Sequence, residues 1–399
     1  MDATTSVDTA VTSNLTSPFS DVTPTEYEGQ VTWSAELAIF MAVIACYGAA
    51  GNLFIIGAVL LRPSLRTRGN AFVINLAVAD LIVTGYIMPL GIATSQYKLK
   101  PFSDALCDFN AFLVVTTCGV STQSLMLIAI ERYFHVCRMR QYDRVFTPQL
   151  VAVYIVFAWL YTMAWSMQGW TGWTKYYYGH DYFLCLFYGP ESMSYDVCLV
   201  VFGILLPLIV LLFCYISIYR VVQSSRKAIE AHKTAGSPNA RKTRHIKKVQ
   251  ARERKFILML VTIVVVFCVC WAPGAGVMAV SGLYGEDGVP VLAYTVTIWI
   301  ALCNSALNSI IYGTMNTNFR RGYLQIATIV FCCCCRERRA ELLARYGVTS
   351  HDRSLESKSN LESRTNMSEL SRSNKAFDAE TEFSTLPRQE KTAENKLKY

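Results

Sequence analysis

Seven stretches of about twenty apolar residues, each free or nearly free of charge, decide what this chain can fold into. They run over 35–61, 71–94, 111–130, 150–170, 197–218, 256–280 and 289–311. A hydrocarbon slab offers the backbone no water, so each N–H and C=O must be satisfied within the segment that crosses it. A helix does this alone. The expected fold is therefore an all-α membrane protein, a seven-transmembrane helix bundle with a short amphipathic cytoplasmic helix. Composition agrees: 17% of the 399 residues are charged, where soluble proteins carry about 25%.

Orientation follows from Lys and Arg, which accumulate in cytoplasmic loops. None precedes the first span and none joins the sixth to the seventh. That side otherwise holds Lys98, Lys100 and Lys175. The other side holds Arg62, Arg66, Arg68, Arg138, Arg140 and Arg144, a dense run over 220–255, and more arginines after the seventh span. The expected topology has the N-terminus outside and the C-terminus in the cytoplasm. The net charge of +8 suits basic loops against anionic membrane lipids. Basic loops interleaved with spans argue against a nucleic-acid partner.

The expected division is an extracellular segment over 1–32, a seven-span domain over 33–316, an amphipathic helix with a palmitoylation site over 317–335, and a tail over 336–399. The tail is rich in Ser, Thr, Glu, Lys and Asn, a composition expected to stay disordered. Asn14-Leu15-Thr16 is an N-glycosylation sequon on the outer side. No cleavable signal peptide is visible, so the first span is expected to serve as its own insertion signal. Cys332, Cys333, Cys334 and Cys335 have no His or acidic ligands among them, which points to palmitoylation rather than zinc. Cys107 and Cys185 both face the oxidising side, where a disulfide would tie the loop after span four over the bundle mouth. His135, His180, His232, His245 and His351 lie in loops, tail or helix ends without ligand spacing. No enzyme is expected.

Ionisable groups at membrane depth are costly and usually functional. Glu131-Arg132-Tyr133 closes the third run, where a snorkelling helix end is the plainer alternative. Asp80 lies in mid-span, with Asn52, Ser121, Asn304 and Asn308 in other spans. Its carboxylate needs a partner, a proton or a cation. Two readings stand: an oxygen shell for a hard cation, or interhelical hydrogen bonds alone. Pro89, Pro207 and Pro273 are expected to kink their spans.

Gly51-Asn52, Asn75 through Leu81, Cys107, Glu131-Arg132-Tyr133, Trp159, Cys185, Pro207 with Tyr215, Cys270-Trp271-Ala272-Pro273 and Asn308-Ser309-Ile310-Ile311-Tyr312 put a motif in every span. This set resembles the rhodopsin-like G-protein-coupled receptors. The resemblance implies a sodium site at Asp80, Ser121, Asn304 and Asn308. It implies activation switches at Trp271, Pro273, Tyr215, Asn308 and Tyr312, and G-protein contact at Arg132. Glu253, at the cytoplasmic start of span six, is then the expected acidic partner of Arg132, an ion pair clamping spans three and six. Ser309 replaces the usual proline, so span seven is expected to bend less. Within the superfamily, Asn304 through Gly313, Asn318-Phe319-Arg320-Arg321 and Tyr142-Asp143-Arg144 are similar to the melatonin receptors and their orphan relatives. Gly169 and Gly189 stand where those receptors anchor melatonin with Asn and Gln.

The resemblance places a ligand cavity among Val114, Val115, Cys118, Gln168, Leu199, Gly203, Trp271, Gly274, Ala275, Met278, Ile298 and Leu302. Span three offers Val114 and Val115 where an ammonium would need a carboxylate. Leu302 stands where a retinal pigment needs its lysine. The expected ligand is a small, largely apolar extracellular molecule. The expected partners are a heterotrimeric G protein, inhibitory by likeness, with arrestin and receptor kinases acting on tail serines and threonines such as Ser354, Ser357 and Thr365. Alternatives are an orphan receptor for a lipid or peptide and, more remotely, a transporter, which would need inverted repeats that the chain lacks.

Overall fold

The computed structural model describes residues 35–96, 103–180, 182–187, 193–234, 240–284 and 289–331, and does not describe the side chains of 225–254, 256, 282–283, 291 and 331. Among these residues seven helices are long and apolar enough to cross a membrane. Spans one to seven are Ala35–Leu61, Arg68–Thr94, Asp104–Cys137, Pro148–Thr171, Met193–Ser224, Ile257–Ser281 and Leu292–Met315. Asn14, Cys332 to Cys335, the side chain of Glu253, Gly189 and the tail beyond 331 lie outside the described residues.

Several helices outrun their apolar runs. Span three covers Asp104–Cys137, and the helix carrying span six starts at Ala240. Hydropathy reports depth in lipid, whereas helix starts are set by capping. The Thr67, Ser103 and Thr147 side chains accept from the backbone N–H groups of Asn70, Leu106 and Leu150, each an Ncap oxygen bonded at N3. Pro148 follows Thr147 at the first helical position, where its missing N–H costs nothing.

Two of the three prolines are accommodated by widened turns. A π-helical segment, Val83–Ile87, precedes Pro89, and another, Leu199–Leu205, precedes Pro207. Proline cannot donate to the carbonyl four residues back and its ring crowds that turn, so a wide turn upstream relieves both conflicts. Pro273 lies inside the continuous helix Ala240–Tyr284.

Polar ties cross the bundle. Asn75 donates to the Ser124 hydroxyl at 2.8 Å and accepts from the Trp159 indole N–H at 2.9 Å, joining spans two, three and four. Thr116 donates to Ser166 at 2.8 Å higher in the same interface. Such bonds are worth about 0.6 kcal/mol each within a membrane, so the apolar packing around them carries most of the stability. That packing falls into two main clusters. One lies at the Arg132 end, around Phe72, Ile128, Tyr215, Met259 and Tyr312. The other lies at the opposite end, around Val83, Ile87, Val114, Trp299 and Leu302.

The all-α expectation needs one addition. The loop after span four carries a two-stranded antiparallel hairpin, β1 Tyr176–Gly179 and β2 Leu184–Phe187, in register Tyr176↔Phe187 to Gly179↔Leu184. A disulfide between Cys107 and Cys185 ties β2 to the start of span three. At the other end a short helix, Met139–Val145, follows span three, and an amphipathic helix, Thr317–Phe331, follows span seven. The latter is fastened by Phe319 packing on Tyr312, ring centroids 5.1 Å apart.

Candidate functional site

At the Arg132 end, span three places Glu131 inward and almost fully buried, with Arg132 beside it at 3.1 Å. A buried carboxylate needs more than one partner, and the second comes from the Met139–Val145 helix. The Tyr142 hydroxyl donates to Glu131 at 2.7 Å. Burial, reinforced by the Glu131 charge, pushes the Tyr142 pKa up, so its hydroxyl stays protonated and donating. Arg68 lies over the Tyr142 ring, 5.6 Å from its centroid, and pairs with Asp143 at 2.8 Å. Gly69 forms the wall opposite: a Cβ there would lie 2.6 Å from a Glu131 oxygen. Spans two and three and the short helix therefore converge on one carboxylate. Tyr133 points elsewhere, its ring 5.9 Å from Phe213 of span five. Glu253 belongs to the helix Ala240–Tyr284, which carries span six.

Midway along the bundle Asp80 is fully buried. Its two oxygens accept from Ser121 at 2.9 Å and from the Asn308 amide at 2.8 Å, so spans two, three and seven meet on it. Asn304 lies one turn from Asn308 on the same helical face, buried, with a side-chain oxygen that has no hydrogen-bond partner among the described residues. A carboxylate, a hydroxyl and an orphaned amide oxygen are the donor set a hard cation takes. The residues present fit a sodium ion. Asn52 donates to the backbone carbonyls of Gly48 and Ser305 at 3.0 Å each, and its buried side-chain oxygen likewise has no hydrogen-bond partner among the described residues.

Trp271 is stacked on Phe267 with ring centroids 5.9 Å apart and joins the cluster at the Arg132 end. Tyr215 and Tyr312 are buried in that same cluster. Span seven runs unbroken through Ser309, whose hydroxyl donates to the Ala306 carbonyl at 2.9 Å.

The residues expected around one cavity separate into three groups. Val114, Cys118, Ile298 and Leu302 pack together beneath the hairpin. Leu199 and Gly203 lie on the π-helical segment of span five, and Ala275 and Met278 are exposed on span six beyond Trp271. Gly274 and Val115 are half-buried. Gln168 is spent locally, donating to the Ala164 carbonyl at 2.8 Å and accepting from Thr171 at 2.8 Å. Gly169 lies directly against the Tyr176 ring, which leaves no room for a side chain.

Residue-by-residue reading missed what joins the first group. Tyr182, Phe183 and Leu184, at the hairpin tip, are 5%, 4% and 2% exposed and complete that cluster. The signal was present: these residues immediately precede Cys185, whose disulfide holds them over the mouth. It also missed Tyr142 as the partner of Glu131.

The geometry has counterparts among known proteins. Residues 51–312 match the family described as 7 transmembrane receptor (rhodopsin family). The Phodopus sungorus melatonin receptor type 1A is 30% identical over 305 residues, 75% of this chain and 82% of that one. The human melatonin receptor type 1B is 30% identical over 295 residues, 73% of this chain and 77% of that one. Squid rhodopsin superposes with a TM-score of 0.65 over 77% of this chain and 89% of its own, at 24% identity, a likeness of fold. This chain belongs to the rhodopsin family of seven-transmembrane receptors, the G-protein-coupled receptors of the plasma membrane.

Proposed function

We propose that the receptor recognises a small, largely apolar extracellular ligand at its disulfide end and couples at its Arg132 end to an inhibitory heterotrimeric G protein. The N-terminus lies outside and the tail in the cytoplasm, in keeping with the Lys and Arg asymmetry. The observation that carries the ligand class is the apolar packing of Val114, Ile298 and Leu302 with the hairpin tip; the charged side chains buried among the described residues are Arg62, Asp80 and Glu131, and none is among those expected to line the cavity. A buried ammonium ligand would need one. The likeness to melatonin receptors favours inhibitory coupling, and the loss of both melatonin anchors, at Gly169 and Gly189, favours another apolar ligand.

In this reading Arg132 is restrained by Glu131 on its own helix and by Glu253 across the bundle, and the ligand offsets the few kcal/mol that separate the resting and active states. Asp80, Ser121, Asn304 and Asn308 would hold a sodium ion, which would neutralise the buried carboxylate and fasten spans two, three and seven. Cys332 to Cys335 carry palmitate, Asn14 carries glycan, and receptor kinases phosphorylate the tail for arrestin.

The test is a screen of indoles, fatty acids and lipids against membranes bearing the receptor, read as GTP loading of separate purified heterotrimers. Stimulation by an apolar compound, strongest with inhibitory heterotrimers, is expected. Stimulation by charged amines or peptides alone contradicts the ligand class, and stronger loading of another heterotrimer contradicts the coupling.

A further inference from the structure

The hairpin tip is held as an insert rather than as an ordinary loop. Phe183 has φ 60°, in the left-handed region that a residue with a Cβ adopts at a cost, and it does so while almost fully buried. Such strain persists only where the surroundings over-determine it, and it accumulates at functional sites. The surroundings here are specific. The Thr94 hydroxyl of span two donates to the Phe183 carbonyl at 2.7 Å, and the Trp299 indole of span seven donates to the Tyr182 carbonyl at 3.0 Å. Gly91 leaves the space into which Leu184 and Trp299 fit: a Cβ there would lie 2.8 Å from one and 2.9 Å from the other.

We propose that the tip Tyr182-Phe183-Leu184 is a built-in occupant of the ligand cavity, which an external ligand must displace. The tip shares one buried cluster with Val114 and Leu302, two of the residues the ligand was expected to touch. It is anchored on spans two and seven, whereas Trp271 of span six packs in the other cluster. The disulfide at Cys185 holds β2 directly beside the tip, so withdrawal leaves that bond in place and breaks the bonds from Thr94 and Trp299 together with ties inside the hairpin, from the Phe183 N–H to the Gly179 carbonyl at 2.8 Å and from the Tyr182 hydroxyl to the Tyr177 hydroxyl. This rests on the reading of the disulfide end as the extracellular ligand mouth.

Cys118 packs against the same cluster and is a native reporter of whether the tip is in place. A charged, membrane-impermeant methanethiosulfonate is added to intact cells bearing the full-length receptor, and its attachment at Cys118 is followed by peptide mass spectrometry. In the wild type the reaction is slow. Phe183→Gly, which relieves the strain and removes the ring, accelerates it by about tenfold or more. Trp299→Phe keeps an aromatic side chain but removes the indole donor and part of the packing on Gly91, and accelerates it by up to about tenfold. It is the second arm should Phe183→Gly fail to reach the surface. Equal rates in wild type and in the variants that reach the surface, with the Cys107–Cys185 bond intact, overturn the proposal, as does fast labelling of the wild type. Acceleration seen only when the reagent reaches the other membrane face supports the tip as occupant and overturns the orientation on which it rests. No G protein enters this measurement, so failed coupling and a failed tip are separate results.

Discussion

The Tyr142 hydroxyl donates a 2.7 Å hydrogen bond to the buried carboxylate of Glu131, eleven residues earlier in the chain. Glu131 is also the side chain that touches Arg132, at 3.1 Å. The acid at the end of span three is thus shared between the arginine beside it and the short helix that follows. Anything that moves Met139–Val145 alters how firmly Glu131 holds Arg132.

Tyr142→Phe keeps the ring and removes the bond to a charged acceptor, an interaction worth about 1.5–3 kcal/mol. The purified receptor is expected to melt at lower temperature, and membranes bearing it to show raised basal GTP loading. Folding raises the Tyr142 pKa, so the contribution is complete below its unfolded value of about 10 and is lost only as pH rises through the higher folded value. The difference between wild type and variant is therefore expected to stay constant from about pH 6 to 9. A difference that disappears within that range would contradict the assignment.

Gly69→Ala acts on the same carboxylate from span two. Its methyl would lie 2.6 Å from a Glu131 oxygen, so the carboxylate must shift, which is expected to weaken the Tyr142 bond to its other oxygen. Overpacking of this kind costs about 1–3 kcal/mol. Basal GTP loading should rise as in Tyr142→Phe, and the double variant should show less than the sum of the two. Full additivity would mean that the residues act independently.

Asp80→Asn removes the charge with which the mid-bundle site is proposed to hold a sodium ion. A bound ion stabilises the folded state by mass action. Replacing N-methylglucamine chloride by sodium chloride at constant ionic strength should raise the melting temperature of the wild type and leave Asp80→Asn unmoved. Equal rises in both would remove Asp80 from the sodium site.

Ser309→Pro tests why span seven tolerates its departure from the family pattern. Proline at 309 would free the Ser305 carbonyl one turn back. That carbonyl already accepts from Asn52 at 3.0 Å, so it is not left bare. The loss in stability should stay within about 1.5 kcal/mol, below the roughly 3 kcal/mol that proline costs in a helix interior. A larger fall in thermal stability would show that the Asn52 bond does not compensate.

The spans were legible because lipid leaves the backbone one solution per segment, and a twenty-residue apolar run states that in composition. Asp80 and Glu131 were legible because a carboxylate at membrane depth is too costly to be incidental. The ends of span three were less so. Ser103 and Cys137 bound a helix whose polar ends carry no hydropathy signal, and only capping marks the start. The hairpin tip was hidden for a different reason. Tyr182, Phe183 and Leu184 fall in an aromatic loop over 170–188 whose composition suits stacking on a ligand and an interfacial belt alike, and their burial depends on Thr94 and Trp299, both distant in sequence. The Tyr142 bond is hidden likewise, since a tyrosine one short helix beyond Glu131 signals no partner until the turn is folded.

The proposed coupling makes Arg132 the group that engages the G protein, with Glu131 and Tyr142 setting its availability. Its most direct test is GTP loading by purified heterotrimers on membranes bearing wild type or Arg132→Ala at equal surface expression. Loading above receptor-free membranes is expected for the wild type and for Tyr142→Phe, and a fall to background for Arg132→Ala. Loading by Arg132→Ala equal to that of the wild type would contradict the proposed coupling.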